Sequence, residues 1–395
     1  MSQDTVPQTD QEIADAVRLA RSERSFIAIE GGGTKRSVGR IMQAPRTLSM
    51  RAMTGITLYE PAELVIAARA GTPVAVIEKT LAEHGQMLPF EPADLRGILQ
   101  AQGEPSVGGM VAAHFSGPRR IMAGALRDSL IGVRLVNGRG ESIVSGGRVV
   151  KNVTGLDLAR LMAGSWGTLG VMTEVTFRVL PRPETSVSLA LMGLNDAQAV
   201  QAMASALGSP YEISGAAHLP LGIDRVATTL LRLEGFEQSV RIRAEKVQSL
   251  LQPFGRAEVI ETTTSHALWQ QIRDVRWLAE PRNEALWRLS VPAHHAAQVL
   301  ATLSAKRPIR AILDWGGGLI WLATASAHLA GAELIRSEMA RVRGHAMLVR
   351  ASEGTRGTAG VFETLSEPIM RLSDAIKKSF DPDRVLNPGR MYAGM

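Results

Sequence analysis

The sequence predicts an α+β protein of two domains and a returning tail, on three observations. Its 395 residues exceed what a single core usually fills. Up to about residue 180, strands run into turns of glycine and other small residues, and the pattern stops at Leu180-Pro181-Arg182-Pro183-Glu184. From 185 to 350, strands alternate with amphipathic helices, the signature of an antiparallel sheet with helices on one face. The expected units are 1–184, 185–350 and 351–395.

Apolar residues Ile13, Val17 and Leu19-Ala20 recur at helical spacing over Asp10–Arg24, with Asp10 as the expected N-cap. Phe26–Ile29 reads as a buried strand ending at a glycine turn, and Glu63–Arg69 as another, closed by Ala70-Gly71-Thr72. Pro73 opens a helix to about His84. Pro105–His114 reads as a turn entering a short helix of small residues. Leu130–Val136 and Glu141–Ser145 flank Asn137-Gly138-Arg139-Gly140, and Asn-Gly is the strongest two-residue hairpin signal. Gly164–Gly170 feeds the β-branched run Val171–Val179.

Beyond the boundary the expected strands are Val187–Met192, Val226–Leu233, Leu286–Val291, Ile309–Asp314, Leu319–Ala323 and Ala346–Arg350. The expected helices are Asp196–Leu207, capped by Asp196, then Ser239–Leu251, His294–Ser304, Glu333–Arg343 and Leu365–Phe380. The tail Asp381–Arg390 is rigid and rich in turn residues.

Composition narrows the function. Hydrophobic residues make up 45% and charged residues 21%, as in a soluble globular chain. Met1–Asp10 is polar and acidic, so no secretory signal is expected, and no apolar run reaches the roughly 18 residues that span a membrane. With no cysteine, the chain carries neither disulfides nor cysteine-ligated clusters. The net charge of +6 comes without a basic run, and aromatic residues are only 4%, so nucleic acid is not an expected partner. An anionic ligand or an acidic partner fits the charge. The histidines, at 84, 114, 218, 266, 294, 295, 328 and 345, offer no metal-ligand spacing.

Three glycine turns carry the chemistry: 31–35, 105–109 and 164–170. None is a Gly-x-Gly-x-x-Gly fingerprint or a P-loop. Each alone can be a plain tight turn. Together they point to one extended ligand held at several places, because pyrophosphate needs nearby backbone N–H groups and a flat ring needs walls without bulk.

This set resembles the vanillyl-alcohol oxidase family, whose FAD-binding domain is shared with p-cresol methylhydroxylase (PCMH). Gly31-Gly32-Gly33-Thr34-Lys35 is similar to the family's first pyrophosphate loop. Pro105-Ser106-Val107-Gly108-Gly109, with Ala112, is similar to the second. Gly164-Ser165-Trp166-Gly167-Thr168-Leu169-Gly170, with Val171-Met172-Thr173-Glu174, is similar to the third. Phe380-Asp381-Pro382 to Leu386-Asn387-Pro388-Gly389-Arg390 is similar to the C-terminal return to the flavin, with Asn387 and Arg390 in reach of it. The resemblance implies a two-subdomain PCMH-type FAD-binding domain, an α+β cap domain with an antiparallel sheet, and a C-terminal segment packed back on the flavin.

Within that family, five stretches are similar to the smaller flavin-binding subunits of bacterial glycolate oxidases: Tyr59–Leu64, Gly85–Pro92, Ser116–Arg120, Gly124–Asp128 and Asp314–Trp321. The resemblance implies a larger catalytic flavin subunit, an iron–sulfur subunit passing electrons to quinone, and a small 2-hydroxy acid as the substrate of the complex. It also implies a cytoplasmic protein, peripheral on the inner face of the membrane. Members with covalent flavin carry histidine beside the first loop. Thr34 stands there, so the FAD is expected to be non-covalent. The larger subunits' His-x-Gly-Asp-Gly-Asn motif is absent, and Trp166 stands where they place an acid.

Catalytic candidates are therefore weak. His114 reads as a packed histidine before a base. Arg276 and Arg288, beside Trp277 and Trp287, read as stacked structural arginines before carboxylate forks. Arg127-Asp128 reads as a local ion pair, and Trp315 and Trp321 as core. Lys35 is open between a phosphate ligand and a solvated lysine. Two rivals stay open: a self-sufficient flavin oxidoreductase and a scaffold that has lost its flavin.

Overall fold

The structure, a computed structural model, describes residues 3–147, 156–223 and 225–395. It begins with a parallel sheet of β1 (Gln3–Thr5), β2 (Ile27–Glu30) and β3 (Arg46–Ser49), ordered β1-β3-β2. Helix Asp10–Ser22 joins β1 to β2 and buries Ile13, Val17 and Ala20 against Ile27 and Leu48. Thr9, not Asp10, caps it, its hydroxyl accepting the Glu12 N–H at 3.2 Å. The same shift recurs at Asn195, which caps helix Asp196–Leu207 in place of Asp196. Each aspartate falls instead in the first turn, where its charge complements the helix dipole.

A five-stranded antiparallel sheet follows. Its strands are β4 (Ile56–Glu60), β5 (Val65–Arg69) and, after the two-residue β6 (Gln86–Met87), β7 (Leu130–Asn137), β8 (Ser142–Gly146) and β9 (Gly170–Arg178). The order is β4-β5-β9-β7-β8. The predicted hairpin is β7–β8, where Asn137 Oδ1 accepts the Arg139 and Glu141 N–H groups and locks the turn. Residues Val175 and Phe177 of β9 pack with Val133, Leu135 and helix Val74–Glu83. β10 (Leu180–Pro181) pairs with β6.

The largest sheet has eight strands, every neighbouring pair antiparallel. They are β11 (Thr185–Met192), β12 (Ile213–Ile223), β13 (Val226–Gly235), β14 (Glu258–Ile260), β15 (Glu284–Ser290), β16 (Ile309–Asp314), β17 (Leu319–Ala325) and β18 (His345–Arg350). The order is β14-β11-β13-β12-β16-β17-β15-β18. Side chains alternate across it. Ala285, Trp287, Leu289, Ile320 and Leu322 meet helices Asp196–Leu207, Glu237–Leu251, Ala296–Ser304 and Ala332–Arg341. Leu286, Trp321 and Ala323 face the opposite way, onto Phe115 and Trp166 of the glycine-turn half.

One expectation is corrected here. The helices do not all lie on one face, because helix Thr262–Arg273 places Leu268, Trp269 and Ile272 on the face that meets the glycine-turn half. Neither this helix nor β12 shows in the sequence pattern. In β12 Gly215 is needed because a Cβ there would lie 2.9 Å from the Trp269 ring. Among the described residues, no helix is long and apolar enough to cross a membrane.

Candidate functional site

A cleft of about 500 Å³ is lined by the turn Glu30–Lys35, Arg40–Met42, Ser106, Gly108 and Gly109, Trp166 and Gly167, and Asn387 and Arg390 from the tail. Its size lies within the range of about 300–1,000 Å³ typical of ligand clefts. β2 delivers the first turn, helix Val107–Ala113 the second and β9 the third. All three predicted glycine turns therefore converge.

They do not contribute alike. The amides of Gly32, Gly33, Thr34 and Lys35 donate to no acceptor among the described residues. Successive free N–H groups of this kind form an anion-binding concavity. The second turn spends its amides internally: Val107 on Thr72 O, Gly108 on Ala70 O and Gly109 on Ser106 Oγ. In the third, Gly164 and Trp166 donate to Val111 O and Ala112 O, tying that turn to the helix. Of the predicted residues, Gly31–Lys35, Ser106, Gly108, Gly109, Ala112, Gly167, Gly170, Asn387 and Arg390 line the cleft. Pro105, Val107, Gly164, Ser165, Thr168 and Val171 do not.

The reason for glycine also differs from the expected one. A Cβ on Gly32 would lie 1.5 Å from Glu104 O, and one on Gly31 would lie 2.0 Å from Ser106 Oγ. Glycine is needed here so that the first turn can pack on the second, which leaves bare backbone facing the cleft.

The tail closes the site. Asn387 accepts the Ile29 N–H at 2.8 Å through Oδ1 and donates to Trp166 O at 2.7 Å through Nδ2, clasping β2 to the third turn. Arg390 donates to Lys35 O at 2.9 Å and stacks over Trp166. Behind them the buried Lys377 ammonium donates to Thr168 O, Leu386 O and Asp381. Sequence reasoning found Asn387 and Arg390 but missed Lys377, whose pairing with Asp381 one helical turn on looks like an ordinary surface pair until Thr168, 209 residues away, is seen to bury it.

Lys35, Arg36, Arg40, Arg356 and Arg390 outnumber the carboxylates of Asp4, Glu30 and Glu353 along the lining, which suits an anion. Burial pushes the Lys35 ammonium down to about 8. It also pushes Arg390 to about 10, with Arg356 adding to the shift, so Arg390 stays charged at neutral pH. Arg36, Arg40 and Arg356 escaped prediction because single arginines outside a motif give no pattern to read.

The weak catalytic candidates lie outside the cleft lining. His114 ends helix Val107–Ala113 in a left-handed conformation, and its Nε2 accepts the Arg127 N–H at 3.4 Å. Burial first, then the Arg127, Arg288 and Arg120 charges, push it down to about 4. It is neutral at pH 7. Arg276 is exposed, 3.9 Å from Asp274, and stacks on no ring among the described residues. Arg288 does stack, though over Phe115 and Trp315 and not over the adjacent Trp287, because neighbouring strand residues point to opposite faces. Arg127 and Asp128 are within 4.0 Å, and Asp128 also accepts the Ala125 N–H at 2.9 Å.

An extended anion with a flat apolar part fits a row of free amides, a cationic excess and an aromatic wall. The FAD binding domain family matches residues 3–146. Glycolate oxidase subunit GlcE of Escherichia coli (strain K12) is 36% identical over 384 residues, covering 97% of this chain and 97% of that protein. Glycolate oxidase subunit GlcD of Bacillus subtilis (strain 168) is 24% identical, covering 98% of this chain and 88% of that one. Among solved structures, an alkyldihydroxyacetonephosphate synthase has the same fold, with a TM-score of 0.69 at 16% identity, covering 98% of this chain and 75% of that one. Matched from end to end at this identity, the chain belongs to the family of FAD-binding oxidoreductases that includes the glycolate oxidase subunit GlcE.

Proposed function

We propose that this chain is the flavin-carrying accessory subunit of a multi-subunit dehydrogenase of small 2-hydroxy acids, glycolate among them, and that another subunit oxidises the substrate. The observation that carries the reading is a combination. The chain is similar to GlcE along its whole length, yet its sequence lacks the His-x-Gly-Asp-Gly-Asn motif that supplies metal ligands and base in the larger relatives. The larger subunit takes electrons from the acid. A separate iron–sulfur subunit relays them to quinone, since this chain has no cysteine to ligate a cluster. The complex sits on the inner face of the cytoplasmic membrane through those partners. Residues 1–184 bind FAD, 185–350 form the cap and 351–395 return to the cofactor. Anaerobic glycolate tests the reading. It should bleach the flavin of the reconstituted complex and leave that of the isolated chain oxidised. Bleaching by the chain alone would overturn the reading.

FAD, when bound, supplies a two-electron acceptor. The chain's own residues hold it without a covalent bond, because Thr34 stands where covalent members have histidine. The free amides from Gly32 to Lys35 would hold the pyrophosphate, assisted by the Lys35 charge, and Trp166, Gly167, Gly170 and Ala112 would offer walls to the ring, with Asn387 and Arg390 locking those walls.

Two expected outcomes follow. In Gly32→Ala the new methyl cannot coexist with Glu104 O, so the first turn moves and FAD affinity falls at least about tenfold, ~1.4 kcal/mol, by fluorescence titration. Affinity also depends on pH through Lys35. An anion favours the ammonium, so the free chain's value of about 8 rises on binding. Affinity is therefore full below pH 8 and declines as pH climbs from there to the bound-state value. Lys35→Met should flatten this decline.

A further inference from the structure

On the sheet face that meets the glycine-turn half, the register aligns Arg288 with Trp321 and Met347, and Trp321 with Ile312. Three of these four side chains are apolar, so Arg288 is a lone cation among them. Its guanidinium lies 5.2 Å from the Trp315 ring centre and 5.8 Å from that of Phe115. From the other half, Arg120 stacks on the same indole at 4.2 Å. The indole is fixed, its Nε1 donating to Gly117 O at 3.0 Å. Two guanidiniums thus contact one indole.

Other arginines at this seam are occupied. Arg119 pairs with Glu234 at 2.8 Å, Arg232 pairs with Glu91 at 2.8 Å, and Arg350 donates to five backbone carbonyls. Among the described residues, Arg120 and Arg288 make no ion pair within 4.0 Å and no side-chain hydrogen bond. Asp314, on the same sheet face, accepts the Trp315 N–H at 2.7 Å through Oδ1, and burial pushes its carboxyl up to about 7, so it offers only part of a counter-charge at neutral pH. Burial first, then the neighbouring Arg120, lower Arg288 to about 10 against the opposing charge of Asp314. A cation such as Arg288, set among apolar side chains without an ion pair, is costly, and such arrangements cluster where a ligand supplies the counter-charge.

We propose that Arg120 and Arg288, with His114, form a binding site for a small carboxylate, separate from the flavin cleft. The donors are two planar forks and an imidazole, which suit a planar carboxylate. His114 Nε2 accepts the Arg127 N–H, so Nδ1 carries the proton and is free to donate. No row of free amides is present to favour phosphate: Gly117 donates to Phe90 O, Arg119 to Glu91 and Arg120 to Gly117 O. Phe115, Trp321 and Trp315 restrict the ligand to a small acid. Phe115 packs edge-on against Trp166, which lines the flavin cleft, so one aromatic layer separates the two sites. The site stands whether the chain works as an accessory subunit or alone.

Calorimetric titration of the full-length, FAD-loaded chain tests it, using glycolate, neutral glycolamide and inorganic phosphate as probes. Glycolate should bind saturably and glycolamide should not. Arg288→Gln and Arg120→Gln should each weaken glycolate at least about tenfold while FAD content, read from absorbance, stays unchanged. Arg120 is exposed, so its variant serves as the test if Arg288→Gln does not fold. The site is overturned if glycolate shows no saturable binding, if binding survives the double variant, or if phosphate binds more tightly than glycolate. FAD content separates these outcomes from any failure of the cradle.

Discussion

Lys377→Met is expected to lower the stability of the chain by about 3–5 kcal/mol and to release its flavin. The ammonium is 2% exposed and its partner Asp381 is 0% exposed, with 2.6 Å between them. Nζ also donates to Thr168 O at 2.7 Å and Leu386 O at 2.9 Å, so one side chain joins the third glycine turn to the tail. Asp381 in turn accepts the Val385 and Leu386 N–H groups, which sets the tail where Asn387 begins. Methionine fills the volume but leaves a buried carboxylate without its cation and two carbonyls without donors. In the double variant Lys377→Met, Asp381→Asn, the amide still offers an acceptor to Leu386 and carries no charge, so part of the loss should return. Urea denaturation of the three proteins, with flavin content read alongside, measures both effects.

Arg232→Met should cost about as much, at the other seam of the molecule. Arg232 is 2% exposed, donates to both Glu91 oxygens at 2.8 and 3.0 Å, lies 3.3 Å from Glu234 and stacks on Trp269. Glu234 also holds Arg119. Removing the central cation strands carboxylates between the glycine-turn half and the eight-stranded sheet. The same network sets a pH dependence. Burial pushes the Glu91 carboxyl up, but Arg232 and Arg119 pull it further down, so it titrates below the usual carboxylate range. A group lowered on folding contributes fully above its unfolded value and loses that contribution as pH falls through its folded one. Acid unfolding of the wild type should therefore be steeper than that of Glu91→Gln.

Local signals were legible where each residue acts near itself in the chain. The Asn137-Gly138 hairpin and the strands Ile309–Asp314 and Leu319–Ala323 around Trp315 emerge where the pattern puts them, the last running on to Ala325. The three glycine turns are legible as a set. Their division of labour is not, because it depends on which amides other strands and loops consume. Gly31 and Gly32 read as ligand-facing in the sequence, whereas their missing side chains make room for Ser106 and Glu104. β12 stayed hidden because Gly215, Pro220 and Gly222 interrupt the alternation that marks a strand. Lys377 has Asp381 one helical turn on, a pattern that surface lysines share, and only Thr168, 209 residues away, marks it as buried. Arg232 looks like any strand arginine until Glu91, 141 residues away, comes into view.

The central claim is a non-covalent FAD cradle built on the first glycine turn and locked by the tail. Its most direct test is to load the purified chain with FAD, remove the excess, precipitate the protein with acid and read the flavin in each fraction. The account predicts one FAD per chain, all of it in the supernatant. A chain that retains no flavin after loading, or flavin that stays with the precipitate, would contradict it.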